Sequence, residues 1–330
     1  MTAMIYPTTN PAAAEQMMVT RGEGPYIFDQ QGKRYLEGMA GLWCTALGYG
    51  NEEIIDVAQR QMRDLSFSHM FGGKTHAAAI ELADKLAAMV PMNDGRVFLG
   101  NSGSDANDTL MKLIRYHAEA SGQPNRIKVI AREQGYHGVT LASAALTAIP
   151  TNHTHFQLPF EALGVLRTGS ANYYRGGHDG ESESDFVARR AQELEALILG
   201  EGPDTIAAMI AEPVSGAGGV IVPPAGYFDA IQQVLDRYGI WLWDDEVICG
   251  FGRLGTDFGA TKMGMAPQMI TLAKALSSAY VPISAAIVQG DIADCIAASA
   301  TDVGVFGHGY TYSGHCLLYT SPSPRDGHQS

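Results

Sequence analysis

Lys274 closes the apolar run Met269-Ile270-Thr271-Leu272-Ala273, and an acidic pair, Asp244-Asp245, stands upstream of it. A lysine delivered by a buried strand is an amine that can condense with an aldehyde to a Schiff base. Partial burial lowers its proton affinity, so the same group doubles as a base. A carboxylate in the same site would hold a heterocyclic nitrogen in its protonated, electron-accepting form. Chemistry on pyridoxal 5'-phosphate needs this combination. Side chains alternate across a strand, so Asp244 and Asp245 face opposite sides and only one can meet a given ring nitrogen. Periodicity does not choose between them, and the other can be an ordinary solvated acid at a strand end.

Three further segments supply what such a cofactor would need. Ser102-Gly103-Ser104 joins the end of the strand-like Arg96-Val97-Phe98-Leu99 to a helical pattern. Free backbone N–H groups and the helix dipole at such a junction hold a phosphate; the plainer reading is that Ser104 caps the helix. Tyr136, in Gly135-Tyr136-His137-Gly138, can stack on a planar ring, although a buried tyrosine is more often core. Glu212 follows the apolar run Ile206 to Ala211, where a carboxylate either points into a cleft or stays at the surface. A metal reading has little to stand on, since His153-Thr154-His155 lacks a third ligand. The glycines from Gly216 to Gly219 do not fit a dinucleotide fingerprint.

The elements that must position these groups alternate along the chain. A loop-like opening to about Val19 leads into a hairpin, Tyr26-Ile27-Phe28 and Arg34-Tyr35-Leu36, turned by Asp29-Gln30-Gln31-Gly32. The spacing of Leu110, Leu113, Ile114 and His117 predicts a helix, as does that of Phe228, Ile231, Val234, Leu235 and Tyr238, stopped by Gly239. Arg126 to Ala131, Thr205 to Ile210 and Ile240-Trp241-Leu242-Trp243 read as strands. Such alternation predicts an α/β fold with a mostly parallel sheet flanked by helices, binding its ligand beyond the carboxyl ends of the strands.

Composition bounds the partners. A chain of 330 residues with a net charge of −13 would be repelled by nucleic acid and by anionic membranes. Cys44, Cys249, Cys295 and Cys316 are scattered and read as reduced thiols, and Met1 to Pro7 lacks a signal-peptide pattern. A soluble cytoplasmic enzyme is the expectation. The chain changes texture at Cys316, and residues 316–330 are expected to be a non-native tail.

Taken in order, seven segments resemble the class III, or omega, aminotransferases of the fold-type I pyridoxal phosphate enzymes. They are Ala40 to Cys44, Asn101 to Asp108, Gly135 to Gly138, Ala211 to Val214, Asp245 to Arg253, Thr271 to Lys274 and Gly307 to Ser313. The resemblance implies Lys274 as the Schiff-base lysine and Asp245 as the partner of the pyridine nitrogen. It implies Tyr136 on one face of the ring, Val247 on the other and Glu212 near the ring oxygen. Ser102, Gly103 and Ser104 would hold the phosphate, with His137 also at the cofactor. Trp43 would line the substrate pocket, and Thr311 would reach the phosphate of a neighbouring subunit in a homodimer.

It further implies residues 1–50 as part of a small domain, 51–315 as the large cofactor domain, and a missing C-terminal small domain that would carry an arginine for the substrate carboxylate. The expected reaction moves an amino group from an amine or omega-amino acid to a keto acid. Ala40 to Cys44 looks most like the pyruvate-accepting members. A 2-oxoglutarate-dependent transaminase, an aminomutase of the same fold, or an inactive cofactor-binding fragment are the alternatives.

Overall fold

A computed structural model describes residues 3–10, 12 and 16–320. Near the N-terminus, β1 (Val19–Glu23), β2 (Tyr26–Asp29) and β3 (Arg34–Leu36) form an antiparallel meander. Its second turn is the expected hairpin. Asp29 closes it, accepting the backbone N–H groups of Gln31 and Lys33 on its carboxylate.

The main body is a seven-stranded sheet. Its strands are β4 (Arg96–Gly100), β5 (Lys128–Arg132), β6 (Val165–Thr168), β7 (Ile206–Ala211), β8 (Trp241–Asp245), β9 (Met269–Leu272) and β10 (Ser284–Val288). Their order is β4-β10-β9-β8-β7-β5-β6. Strand β10 runs antiparallel to both of its neighbours, and the remaining six run parallel to one another. Strand β7 is buried at all six positions, as a parallel strand covered on both faces should be. Strands β6 and β10 were not singled out by pattern. A short buried run such as Ser284–Val288 carries no alternation to read.

Six long helices flank this sheet or lie beside it: α1 (Glu52–Leu65), α2 (Ala77–Met89), α3 (Gly103–Ala120), α4 (Glu183–Glu201), α5 (Tyr227–Arg237) and α6 (Gly290–Val303). Leu110, Leu113 and Ile114 of α3 pack with Trp243 and Met269 on one face of the sheet. On the other face, α4 and α5 pack against Leu242 and Met209 through Leu194, Ile198, Ile231 and Leu235. The helix of α5 is the one its periodicity predicts. Within the expected tail, Cys316–Tyr319 form a short helix whose Leu318 and Tyr319 pack with residues of α2. The rest of that tail, residues 321–330, lies outside the described residues. Among the described residues, no helix is long and apolar enough to cross a membrane.

Candidate active site

The parallel strands β4, β5, β7, β8 and β9 end on one side of the sheet, and a cavity of about 410 Å³ opens there. That volume falls in the range of small-molecule sites, about 300–1,000 Å³. Ser102, Gly103, Ser104, Tyr136, His137, Glu212, Asp245, Val247 and Lys274 all line it. Because β10 is antiparallel, the segment leading into it, Val281 to Ile283, closes the same end.

Ser102 caps α3, its Oγ accepting the N–H of Asp105 at 3.1 Å. The cap is therefore Ser102, in place of the Ser104 suggested by the plainer sequence reading. Gly103 and Ser104 occupy the first turn, where backbone N–H groups have no intrahelical partner. Ser104 turns its Oγ to the N–H of Val139 at 3.1 Å. Gly103 lies against Val247, and a Cβ on it would sit 3.0 Å from the valine Cγ2.

Asp245 is buried and accepts three hydrogen bonds. Its Oδ2 faces His137 Nδ1 at 2.7 Å and Asn107 Nδ2 at 3.3 Å, and its Oδ1 accepts the N–H of Val247 at 3.1 Å. Asp244 is also fully buried, which corrects the expectation of a solvated acid. It lies outside the cavity lining, on the opposite face of β8, and neither of its oxygens has a hydrogen-bond partner. Burial, and then the neighbouring Glu246, push its carboxyl well above the usual carboxylate range.

Glu212 is buried as well, at 2% exposure, so the surface alternative is set aside. Its two oxygens accept the N–H of Tyr136 at 3.0 Å and of Gly216 at 2.8 Å, tying the Tyr136 loop of the cavity to the segment at Gly216. Burial pushes its carboxyl upward, opposed chiefly by His137. Burial also raises the Tyr136 phenol and lowers the Lys274 amine, the latter opposed by Asp245. Lys274 has φ +49°, in the left-handed region that non-glycine residues seldom occupy and that clusters at functional sites.

Two expected residues lie elsewhere. Trp43 packs near Gly216, and its neighbour Cys44 lines the cavity. Thr311 is exposed and does not reach this cavity. His153 is engaged by the carbonyls of Ala144 and Thr147. Sequence reasoning gave Asn107 no role of its own. The available signal was a polar residue three before Leu110, on the apolar face of α3.

Comparison with known proteins settles the lineage. Residues 9–319 match the family described as Aminotransferase class-III. The chain belongs to the class-III aminotransferases. Over 302 residues it is 48% identical to the probable gamma-aminobutyrate transaminase 2, mitochondrial, of Oryza sativa subsp. indica, covering 91% of this chain and 60% of that relative. It is 45% identical to the vanillin aminotransferase of Capsicum annuum, covering 91% of this chain and 65% of that protein. The omega transaminase of Pseudomonas jessenii, solved in complex with PMP, superposes with a TM-score of 0.94 at 46% identity, over 96% of this chain and 70% of that one. The chain thus spans 60% of the length of the first rice relative. Its fold is that of the fold-type I transaminases, and pyridoxal phosphate is the cofactor of this family.

Proposed function

We propose that this chain is the catalytic core of a pyridoxal phosphate-dependent transaminase acting on an amine or omega-amino acid donor and a keto acid acceptor. One observation carries the reading. Lys274, Asp245 and the uncapped N–H groups of Gly103 and Ser104 face one cavity, each suited to a different part of the cofactor. The first turn of α3 suits a phosphate, with no side chain at Gly103 to obstruct it. Tyr136 and Val247 supply aromatic and apolar surface for the ring, and Ser102 and His137 are also part of the lining.

Bound there, the cofactor supplies an aldehyde for amines and a ring that takes up the electrons released at the substrate carbon. The protein's part is to bind, orient and move protons. The Asp245 carboxylate, fixed by three donors, would face the ring nitrogen and favour its protonated form. Lys274 would anchor the cofactor through Nζ. That nitrogen would also serve as the acid–base group at the substrate carbon, and burial, by lowering the amine, leaves more of it in the neutral form this role needs. Glu212 holds the Tyr136 and Gly216 loops and would lie near the ring oxygen.

Pyruvate is the acceptor we favour. The segment Ala40 to Cys44 resembles pyruvate-accepting members, and a structure described as a transaminase with L-ala is 47% identical to this chain. The gamma-aminobutyrate transaminases among its relatives support an omega-amino acid donor. The exposed Thr311 suits a homodimer in which it serves the partner's phosphate site, and Trp43 borders the substrate end. All four cysteines are free, which supports the cytoplasm as the compartment. We retain the division into 1–50, 51–315 and a tail from 316 as part of this reading.

The test is amino transfer by the purified chain to pyruvate and to 2-oxoglutarate, with Lys274→Ala alongside. Alanine formed only by the lysine-containing protein supports the reading. Glutamate formed in preference would move the acceptor to 2-oxoglutarate. Positional isomerisation of the donor's amino group, with no transfer to either acid, would indicate an aminomutase, and cofactor binding without turnover an inactive fragment.

A further inference from the structure

A buried chain of hydrogen bonds ends on Asp245. It begins at Trp243 Nε1, which donates to Thr271 Oγ1 at 2.8 Å, and the threonine hydroxyl donates to Asn107 Oδ1 at 2.6 Å. The other end of the asparagine amide, Nδ2, donates to the carbonyl of His137 at 2.6 Å and to Asp245 Oδ2 at 3.3 Å. Trp243, Thr271 and Asn107 are all fully buried. The chain crosses β8, β9 and α3 before reaching the loop of His137, so it joins four separate parts of the fold at one carboxylate.

The donor and acceptor inventory fixes its direction. The indole N–H can only donate, so one lone pair of Thr271 Oγ1 is taken by Trp243. With Oδ1 of Asn107 toward the threonine, the hydroxyl proton has an acceptor and both amide protons face acceptors. The reversed amide would place its oxygen against the His137 carbonyl and the Asp245 carboxylate, two groups that only accept. Buried acceptors left facing one another are costly, so the amide is locked from both ends.

We propose that Thr271 and Asn107 are positioning residues that hold the Asp245 carboxylate in the orientation in which it would meet the ring nitrogen. The proposal rests on the reading of Asp245 as the partner of the cofactor's ring nitrogen. Neither residue lines the cavity, so their effect on the cofactor must pass through Asp245 and His137. Removing the threonine hydroxyl takes away the hydrogen bond that fixes the far end of the amide, so the Asn107 donor to Asp245 is held less firmly.

The experiment compares the full chain with Thr271→Val, Thr271→Ser and Asn107→Asp. Each is titrated with pyridoxal phosphate by visible absorbance, and the pH at which the bound band changes is recorded. Thr271→Val is expected to weaken cofactor binding about tenfold, the scale of one buried hydrogen-bond network. The band titration should move to higher pH, because a ring nitrogen held less firmly protonated withdraws less charge. Thr271→Ser, which keeps the hydroxyl, should restore both. Asn107→Asp, which replaces the donating Nδ2 with an oxygen, should change both in the same direction as Thr271→Val, and it carries the test if the valine variant does not fold. If the unaltered chain shows no band that depends on Lys274, the reading of the cofactor site fails and this proposal fails with it. If that band is present but the folded variants match the unaltered chain in affinity and band pH, the positioning role alone is overturned. A band pH unmoved despite weaker binding, or a shift that Thr271→Ser shares with Thr271→Val, would likewise overturn it.

Discussion

Asp244 and Asp245 are consecutive on β8 and live in opposite electrostatic worlds. Asp245 accepts three hydrogen bonds at the cavity, whereas Asp244 is buried beneath the sheet with no hydrogen-bond partner on either oxygen and Glu246 two residues away on the same face. Burial first, then Glu246 and Asp245, raise the Asp244 carboxyl, and Arg132 opposes them. Above the ordinary carboxylate range the folded Asp244 holds its proton more readily than the unfolded chain does. The folded state therefore binds more protons, and stability falls as pH rises from the ordinary carboxylate range to the raised folded value. Asp244→Asn mimics the protonated form. It is expected to flatten this slope and to raise the melting temperature at mildly alkaline pH by about 2 °C or more. Thermal melts of both proteins at mildly acid and mildly alkaline pH check it, and parallel slopes would refute it.

The Lys274 amine is lowered from its ordinary range, chiefly by burial. A lowered value leaves more of the amine neutral at a given pH, so Lys274 should acylate ahead of exposed lysines in the cofactor-free chain near neutrality. Pyridoxal phosphate should protect it, and peptide mapping after brief labelling measures both. On the proposed function, Lys274→Ala should reduce transamination by about 10²–10⁴-fold, the range for loss of a positioned acid–base group.

Glu212 satisfies two backbone donors at once, those of Tyr136 and Gly216. Glu212→Ala leaves both without their acceptor and is expected to cost about 2 kcal/mol or more, read from urea unfolding. Glu212→Gln, which keeps one carbonyl oxygen, should lose less. Equal losses would mean that the bonds to these loops contribute little.

Gly138 has φ +129°, and a Cβ there would stand 2.4 Å from Ser104 Oγ and 2.7 Å from Ser143 Cβ. Ser104 lies in the first turn of α3, the turn proposed to hold the phosphate. Gly138→Ala should destabilise the chain by about 1–3 kcal/mol through backbone strain and contact, and should weaken cofactor binding as well. Unfolding curves and a cofactor titration separate the two effects.

The sequence by itself determined the parts whose chemistry is local. The helical spacing of Leu110, Leu113 and Ile114, the apolar run ahead of Lys274, and the glycine between Ser102 and Ser104 each follow from neighbours in the chain. They were enough to expect an α/β sheet with its site at the strand ends. Strand parity told that Asp244 and Asp245 face opposite ways but carried no information on which face α3 would cover. Packing decides that, because Leu110 and Ile114 share a face with Trp243 and so put Asn107 beside Asp245. The antiparallel β10 and the burial of Asp244 and Glu212 were also beyond local reading. A carboxylate's solvation depends on what other segments lay over it, and those segments are brought together only when the sheet closes between its helices.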